Sequence, residues 1–170
     1  IAKMLSLSYP GGPAISALAK EGSDRAFDFP HPMKKSESYD MSFSGLKTAV
    51  RYTLRDMPDA NKADIAASAE RAIIDTLAEK LIRAVKQYSP RAVFVVGGVS
   101  ANTRLRTTIT TEIIEGLNIP TYFPQMTHCM DNAAMIALCA YLRRQSGAAF
   151  LPWQQLEAQP RKTLRDMSLI

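Results

Sequence analysis

Apolar residues recur every fourth position at Ile65, Ala69, Ile73, Leu77, Leu81 and Val85, which predicts one long helix over 63–88 with a core-facing stripe, ended by Pro90. The period then changes. Val93-Phe94-Val95-Val96 is an unbroken, β-branched run of strand length that stops at Gly97-Gly98. Fourfold spacing returns at Leu105, Ile109 and Ile113, so a helix follows and stops at Gly116. The whole stretch reads as strand, tight turn and helix N-terminus. Thr121-Tyr122-Phe123, after Pro120, predicts a second short strand. A further helix, from Asp131 to about Arg144, is apolar almost all round, which predicts that it is buried.

Elsewhere the pattern is weaker. Tyr9-Pro10-Gly11-Gly12-Pro13 predicts a rigid turn launching a short helix from Ala14 to Lys20, closed by Gly22. Residues 23–40 are polar, contain Pro30 and Pro32, and read as a loop. Met41-Ser42-Phe43-Ser44 alternates like an edge strand before a helix that starts near Gly45 and ends near Met57-Pro58. After Gly147 the chain reads as an irregular tail, with Trp153 packed back on the body and a basic end at Arg161, Lys162 and Arg165. The expected organisation is therefore an α/β body over 1–147, helix-rich with few strands, and a tail over 148–170.

With 170 residues and 46% hydrophobic content, the chain can bury one core or form most of a lobe of something larger. Its formal net charge of +5 is compatible with a polyanionic partner. Cys129 and Cys139 lack zinc-type spacing and suit a reducing, cytoplasmic setting better than a disulfide framework. No apolar run approaches the roughly 20 residues of a spanning helix, so no membrane role is expected. Nor is there a signal-peptide layout at the N-terminus, where Ile1 stands in place of a start methionine.

The candidate chemistry sits at the two helix entrances. At the first, Gly97 and Gly98 let backbone approach a ligand, the exposed N–H groups favour an anionic or polar group, and Asn102 adds a bidentate amide. A simpler reading is that Ser100 or Asn102 merely caps the helix. No Gly-x-Gly-x-x-Gly or Walker-type run is present, so neither dinucleotide binding of the Rossmann type nor P-loop hydrolysis is supported. At the second entrance Asp131 stands where an N-cap belongs, and its carboxylate is equally suited to a metal or a ribose. His128, three residues earlier, reads as a surface or packing residue. No Ser/His/Asp or Cys/His arrangement marks a nucleophile, so no catalytic residue is identifiable.

Taken together, Tyr9-Pro10-Gly11-Gly12-Pro13, Ser42-Phe43-Ser44-Gly45-Leu46-Lys47-Thr48, Gly97-Gly98-Val99-Ser100-Ala101-Asn102 and Cys129-Met130-Asp131-Asn132-Ala133-Ala134-Met135-Ile136-Ala137 resemble, in order and spacing, the tRNA threonylcarbamoyladenosine synthesis transferase family, once called glycoprotease or O-sialoglycoprotein endopeptidase. The resemblance implies an actin-like (ASKHA) fold of two ribonuclease-H-like lobes around a nucleotide. It implies transfer of a threonylcarbamoyl group from threonylcarbamoyl-adenylate to N6 of the adenosine next to the anticodon in tRNA. It also implies that Gly12, Gly97, Gly98 and Asn102 contact the adenylate or ATP. Asp131 is implied as one ligand of a divalent metal, iron or zinc. The implied partners are tRNA, a smaller actin-like paralogue and a P-loop ATPase.

The chain also departs from that family's pattern. Neither His31 nor His128 has a second histidine four residues away, so the family's His-x-x-x-His metal pair is absent, as are the first lobe's phosphate-binding strands and its Ser-Gly-Gly-His-type loop. The expectation is the C-terminal half of the enzyme, inactive by itself. Two other classes compete with it: a non-catalytic actin-like scaffold of the same pathway, and a metalloprotease suggested by the old family name alone.

Overall fold

The computed structural model describes residues 1–31, 33, 36–150 and 152–155, with the side chain of Trp153 excepted. The expected packing of Trp153 and the basic end at Arg161, Lys162 and Arg165 lie outside the described residues. Five α-helices are described: α1 (Gly11–Ala19), α2 (Ser44–Asp56), α3 (Lys62–Tyr88), α4 (Thr103–Ile109) and α5 (Ala133–Gln145). Two strands, β1 (Val93–Phe94) and β2 (Thr121–Tyr122), pair in parallel with Val93 opposite Thr121. The chain is thus α/β and helix-rich, and it divides into two compact units, Ile1–Cys129 and Met130–Ile170.

In the first unit, α3 is the spine. The Asn61 side chain caps it by accepting from the Ala63 N–H at 2.9 Å, and Ser89 closes it in the left-handed region at φ 44°. Ile65, Ala66, Ala69 and Ala72 from its first half join Leu5, Phe29, Leu46 and Val50 in one core cluster. Ile74 and Val85 from its second half join Val93, Leu105, Ile109 and Ile113 in another. The stripe predicted at fourfold spacing is therefore a core face in both halves. Lys80 is buried, and its Nζ donates to the Ser38 carbonyl at 2.6 Å. Arg83 adds bonds to the carbonyls of Ser36 and Ser38, so the 36–40 loop is pinned along the helix.

Three local expectations need correction. The Gly11-Gly12-Pro13 run does not precede α1 but forms its first turn, where a missing proline N–H costs nothing. Met41-Ser42-Phe43-Ser44 is not a strand: a run this short forms a strand only with a partner ladder, and the chain goes directly into α2 at Ser44. The third concerns α5 in the second unit, whose thirteen residues are all exposed, Ile136 to 64% and Leu138 to 58%. An all-round apolar helix states a demand for cover, and cover is a tertiary property that composition cannot provide.

Candidate functional site

Three elements of the first unit meet at an open cavity of about 460 Å³, lined by Ser16 of α1 and Lys20 just after it, Glu70 of α3, and Asn102, Thr103, Arg104, Thr107 and Thr108 from the cap and length of α4. That volume is within the usual range for a small-molecule site. Spacing explains how α1 takes part. Gly12, Ser16 and Lys20 lie one turn apart on a single face, so the residues either side of Ser16 point the same way.

Asn102 is held more firmly than an ordinary cap. Its Oδ1 accepts from the Leu105 N–H at 2.9 Å, which makes it the N-cap of α4. Its Nδ2 donates to Glu70 Oε1 at 2.7 Å and to Ser16 Oγ at 3.0 Å, while Ser16 Oγ donates to the same Glu70 oxygen at 2.5 Å. These two acceptors subtend far less than the angle between the two N–H bonds of an amide. One N–H can serve both, which leaves the amide a second N–H and the second lone pair of Oδ1. Capping and ligand contact are not alternatives at this residue, because the amide has capacity for both.

The preceding turn forms as the strand ends. Gly97 has φ +86°, a conformation that side chains disfavour, and Gly98–Ala101 makes a single 3-10 turn. Buried Ser100 closes it by donating from Oγ to the Gly97 carbonyl at 2.6 Å. Arg106 then ties that turn to the following segment, reaching the Ser100 and Pro124 carbonyls at 2.6 Å each while its guanidinium lies 5.0 Å from the Phe123 ring. Gly97 and Gly98 are exposed and do not line the cavity. Gly12 is likewise exposed, with open space where a Cβ would stand.

Asp131 belongs to the second unit and is exposed. It is not the N-cap of α5. That role falls to Asn132, whose Oδ1 accepts from the Met135 N–H at 3.0 Å, one residue later than expected because extended backbone at Asn132 aims its side chain at the first turn. Of the histidines, His31 Nε2 faces Asp75 Oδ2 at 3.3 Å and His128 ends a short 3-10 turn. Among the described residues no three His, Cys, Asp or Glu side chains gather in a way that could hold a metal ion. Cys129 is buried and Cys139 exposed, both as free thiols. No helix is long and apolar enough to cross a membrane among the described residues.

Ser16, Lys20, Glu70 and Arg104 were not legible as site residues. Glu70 lies beside a core stripe and reads as its solvated edge, while Ser16 reads as an ordinary helix position. Arg104 is anchored by Asp24 at 2.7 Å, and that hydrogen bond holds the Asp24 carboxyl below its ordinary pKa. The one signal that could have pointed to Ser16 is its fourfold spacing from Gly12.

With this geometry in place, likeness to known proteins becomes informative. The family model described as tRNA N6-adenosine threonylcarbamoyltransferase matches residues 1–138. Relatives with that name include one from Verminephrobacter eiseniae, 45% identical over 150 residues that cover 86% of this chain and 43% of the relative. Another, from Thermosipho africanus, is 43% identical over 149 residues, covering 86% of this chain and 45% of the relative. A third, from Thermosipho melanesiensis, is 45% identical over 141 residues, covering 83% and 43%. The chain spans less than half the length of these relatives. A match over most of its residues, running through the Asn102 turn and the start of α5, makes this chain a member of the tRNA N6-adenosine threonylcarbamoyltransferase family.

Proposed function

We propose that this chain is the C-terminal part of a tRNA N6-adenosine threonylcarbamoyltransferase, most of one ribonuclease-H-like lobe of an actin-like fold, and that its cavity receives the adenylate end of threonylcarbamoyl-adenylate. The observation that supports this most is the position of Asn102. The residue that family resemblance marks as a substrate contact stands on the wall of the cavity with donor and acceptor capacity to spare. Lys20 and Arg104 bring positive charge to a phosphate-bearing ligand, and the hydroxyls of Ser16, Thr103, Thr107 and Thr108 surround it. Held this way, the nucleotide leaves its acyl end free to be aligned with the tRNA amine.

The proposed reaction takes place at N6 of the adenosine next to the anticodon. The net charge of +5 suits a tRNA partner, and a smaller actin-like paralogue and a P-loop ATPase are the proposed protein partners. The family also implies iron or zinc, which when bound would polarise the carbamoyl group as a Lewis acid. The described residues of this chain do not make such a centre by themselves. Asp131, a single exposed carboxylate, is one donor of a set that the remaining length of the relatives would complete.

Calorimetric titration with a non-hydrolysable threonylcarbamoyl-adenylate analogue tests the reading. Asn102→Ala is expected to weaken binding by roughly 1–3 kcal/mol, the cost of a lost buried hydrogen bond. Unchanged affinity would reject the site. The chain alone, given tRNA and threonylcarbamoyl-adenylate, is expected to yield no modified nucleoside on mass spectrometry of the digested tRNA. A scaffold role is the second reading, favoured by α5, whose apolar residues are all exposed, and it predicts that Asn102 and Asp131 are both dispensable.

A further inference from the structure

Among the described residues Glu70 is the one acidic side chain on the cavity wall, and the reading above gives it no task. Its Oε1 accepts from Asn102 Nδ2 at 2.7 Å and from Ser16 Oγ at 2.5 Å, so α1, α3 and the start of α4 converge on a single oxygen. A carboxylate oxygen only accepts, and the Asn102 amide can face it with nitrogen alone. On the opposite side the Leu105 N–H only donates, and can be met by Oδ1 alone. An amide is nearly symmetric in shape, so a flip meets little steric resistance yet exchanges donor for acceptor. Together the two contacts oppose that flip.

Capping by itself needs no such arrangement. Asn132 caps α5 through an equivalent Oδ1 contact, while its Nδ2 merely turns back to the Met130 carbonyl at 2.9 Å, within its own loop. At Asn102 the nitrogen is instead held by side chains 32 and 86 residues away in sequence. We infer that Glu70 is a positioning residue, which with Ser16 sets the Asn102 amide in one orientation, so that a ligand in the cavity meets one defined donor and acceptor. The inference rests on the reading of this cavity as an adenylate site. Glu70 acts through Asn102 and itself need not touch the ligand.

The test uses the ¹⁵N-labelled chain, adenosine 5′-monophosphate as probe, and the variants Glu70→Ala, Glu70→Gln, Asn102→Ala and the double variant Glu70→Ala/Asn102→Ala. Without ligand, Glu70→Ala is expected to move the side-chain amide resonances of Asn102 and the backbone amide of Leu105. With ligand, it is expected to weaken nucleotide binding about tenfold, as one buried hydrogen bond to a charged acceptor is worth. Glu70→Gln keeps an acceptor in place and is expected to stay within about threefold of the parent. The double variant should bind no more weakly than Asn102→Ala alone, because both changes disable one device.

Unmoved Asn102 resonances in Glu70→Ala, with unchanged affinity, would overturn the inference. So would equal losses in Glu70→Ala and Glu70→Gln, which would mean that the charge meets the ligand directly. If Glu70→Ala fails to fold, Glu70→Met fills the same space without an acceptor and must give the same loss. Failure of the underlying site reading looks different: the parent chain and Asn102→Ala then respond identically to the nucleotide, while the ligand-free Asn102 resonances still decide whether Glu70 orients the amide.

Discussion

Helices α3 and α5 are both rich in alanine and large aliphatic residues, yet α3 carries buried residues from Ala63 to Val85 and α5 has none. The first alternates two core-facing halves with edges that carry Glu70, Lys80 and Arg83 to definite partners. The second presents Met135, Ile136, Leu138, Tyr141 and Leu142 to solvent. Equal apolar content therefore has unequal consequences. Burial stabilises only where another element supplies the opposing surface, and the first unit assembles that surface from α1, α2 and α4.

The largest expected effect bears on how closely α3 is approached. A Cβ on Gly22 would stand 2.2 Å from the Ala63 carbonyl carbon and oxygen, which are backbone atoms and cannot turn aside. Gly22→Ala is expected to cost several kcal/mol, of the order of 3–5, by urea denaturation. A loss below about 1 kcal/mol would mean that the α1–α3 junction is loose.

Next come paired truncations that set the two regions against each other. Leu46 and Ile65 are wholly buried, and Leu46→Ala or Ile65→Ala should each cost about 2–5 kcal/mol. Leu138→Ala, at a position 58% exposed, should change stability by no more than about 0.5 kcal/mol. A cost for Leu138→Ala comparable to that of Leu46→Ala would break the comparison, since α5 would then be covered in solution.

The two asparagine caps sharpen it further. Asn102→Ala and Asn132→Ala each remove an Oδ1 contact to a first-turn N–H, worth about 1 kcal/mol of stability. Only the first should also weaken nucleotide binding, because only Asn102 lines the cavity. Parallel losses of affinity in both variants would remove the distinction between the cap and the site.

The smallest effect is electrostatic. The hydrogen bond and charge of Arg104 lower the Asp24 pKa in the folded state, and the two side chains are about a third exposed. A depressed folded pKa means that the contribution is complete above the unfolded value of about 3.9 and is lost as pH falls through the lower folded value. Asp24→Asn should therefore cost no more than about 1 kcal/mol at neutral pH, with the difference from the parent closing below about pH 4. A difference that persists undiminished in acid would mean that packing, not charge, joins Asp24 to Arg104.

Much of the first unit could be read in advance because its determinants are local. Fourfold apolar spacing marked α3 and the Leu105–Ile113 helix, and all three of Leu105, Ile109 and Ile113 are buried. The Gly97-Gly98 turn was legible because positive φ has a chemical signature, and Asn102 because short polar side chains select helix starts. At the second entrance the same logic missed by one residue, since Asp131 and Asn132 are both good caps and the choice depends on backbone angles.

What the sequence determined by itself was the set of helices, the turn before α4 and membership of the family, all carried by contiguous or regularly spaced residues. What only the tertiary structure decided was which of these surfaces find a partner. Ser16, Glu70 and Asn102 are 86 positions apart at their extremes and meet only because α1 and the start of α4 both pack against α3 at Glu70. The exposure of α5 follows from the same principle. A residue's type records the contact that would satisfy it, while the contact itself depends on residues far away in the chain.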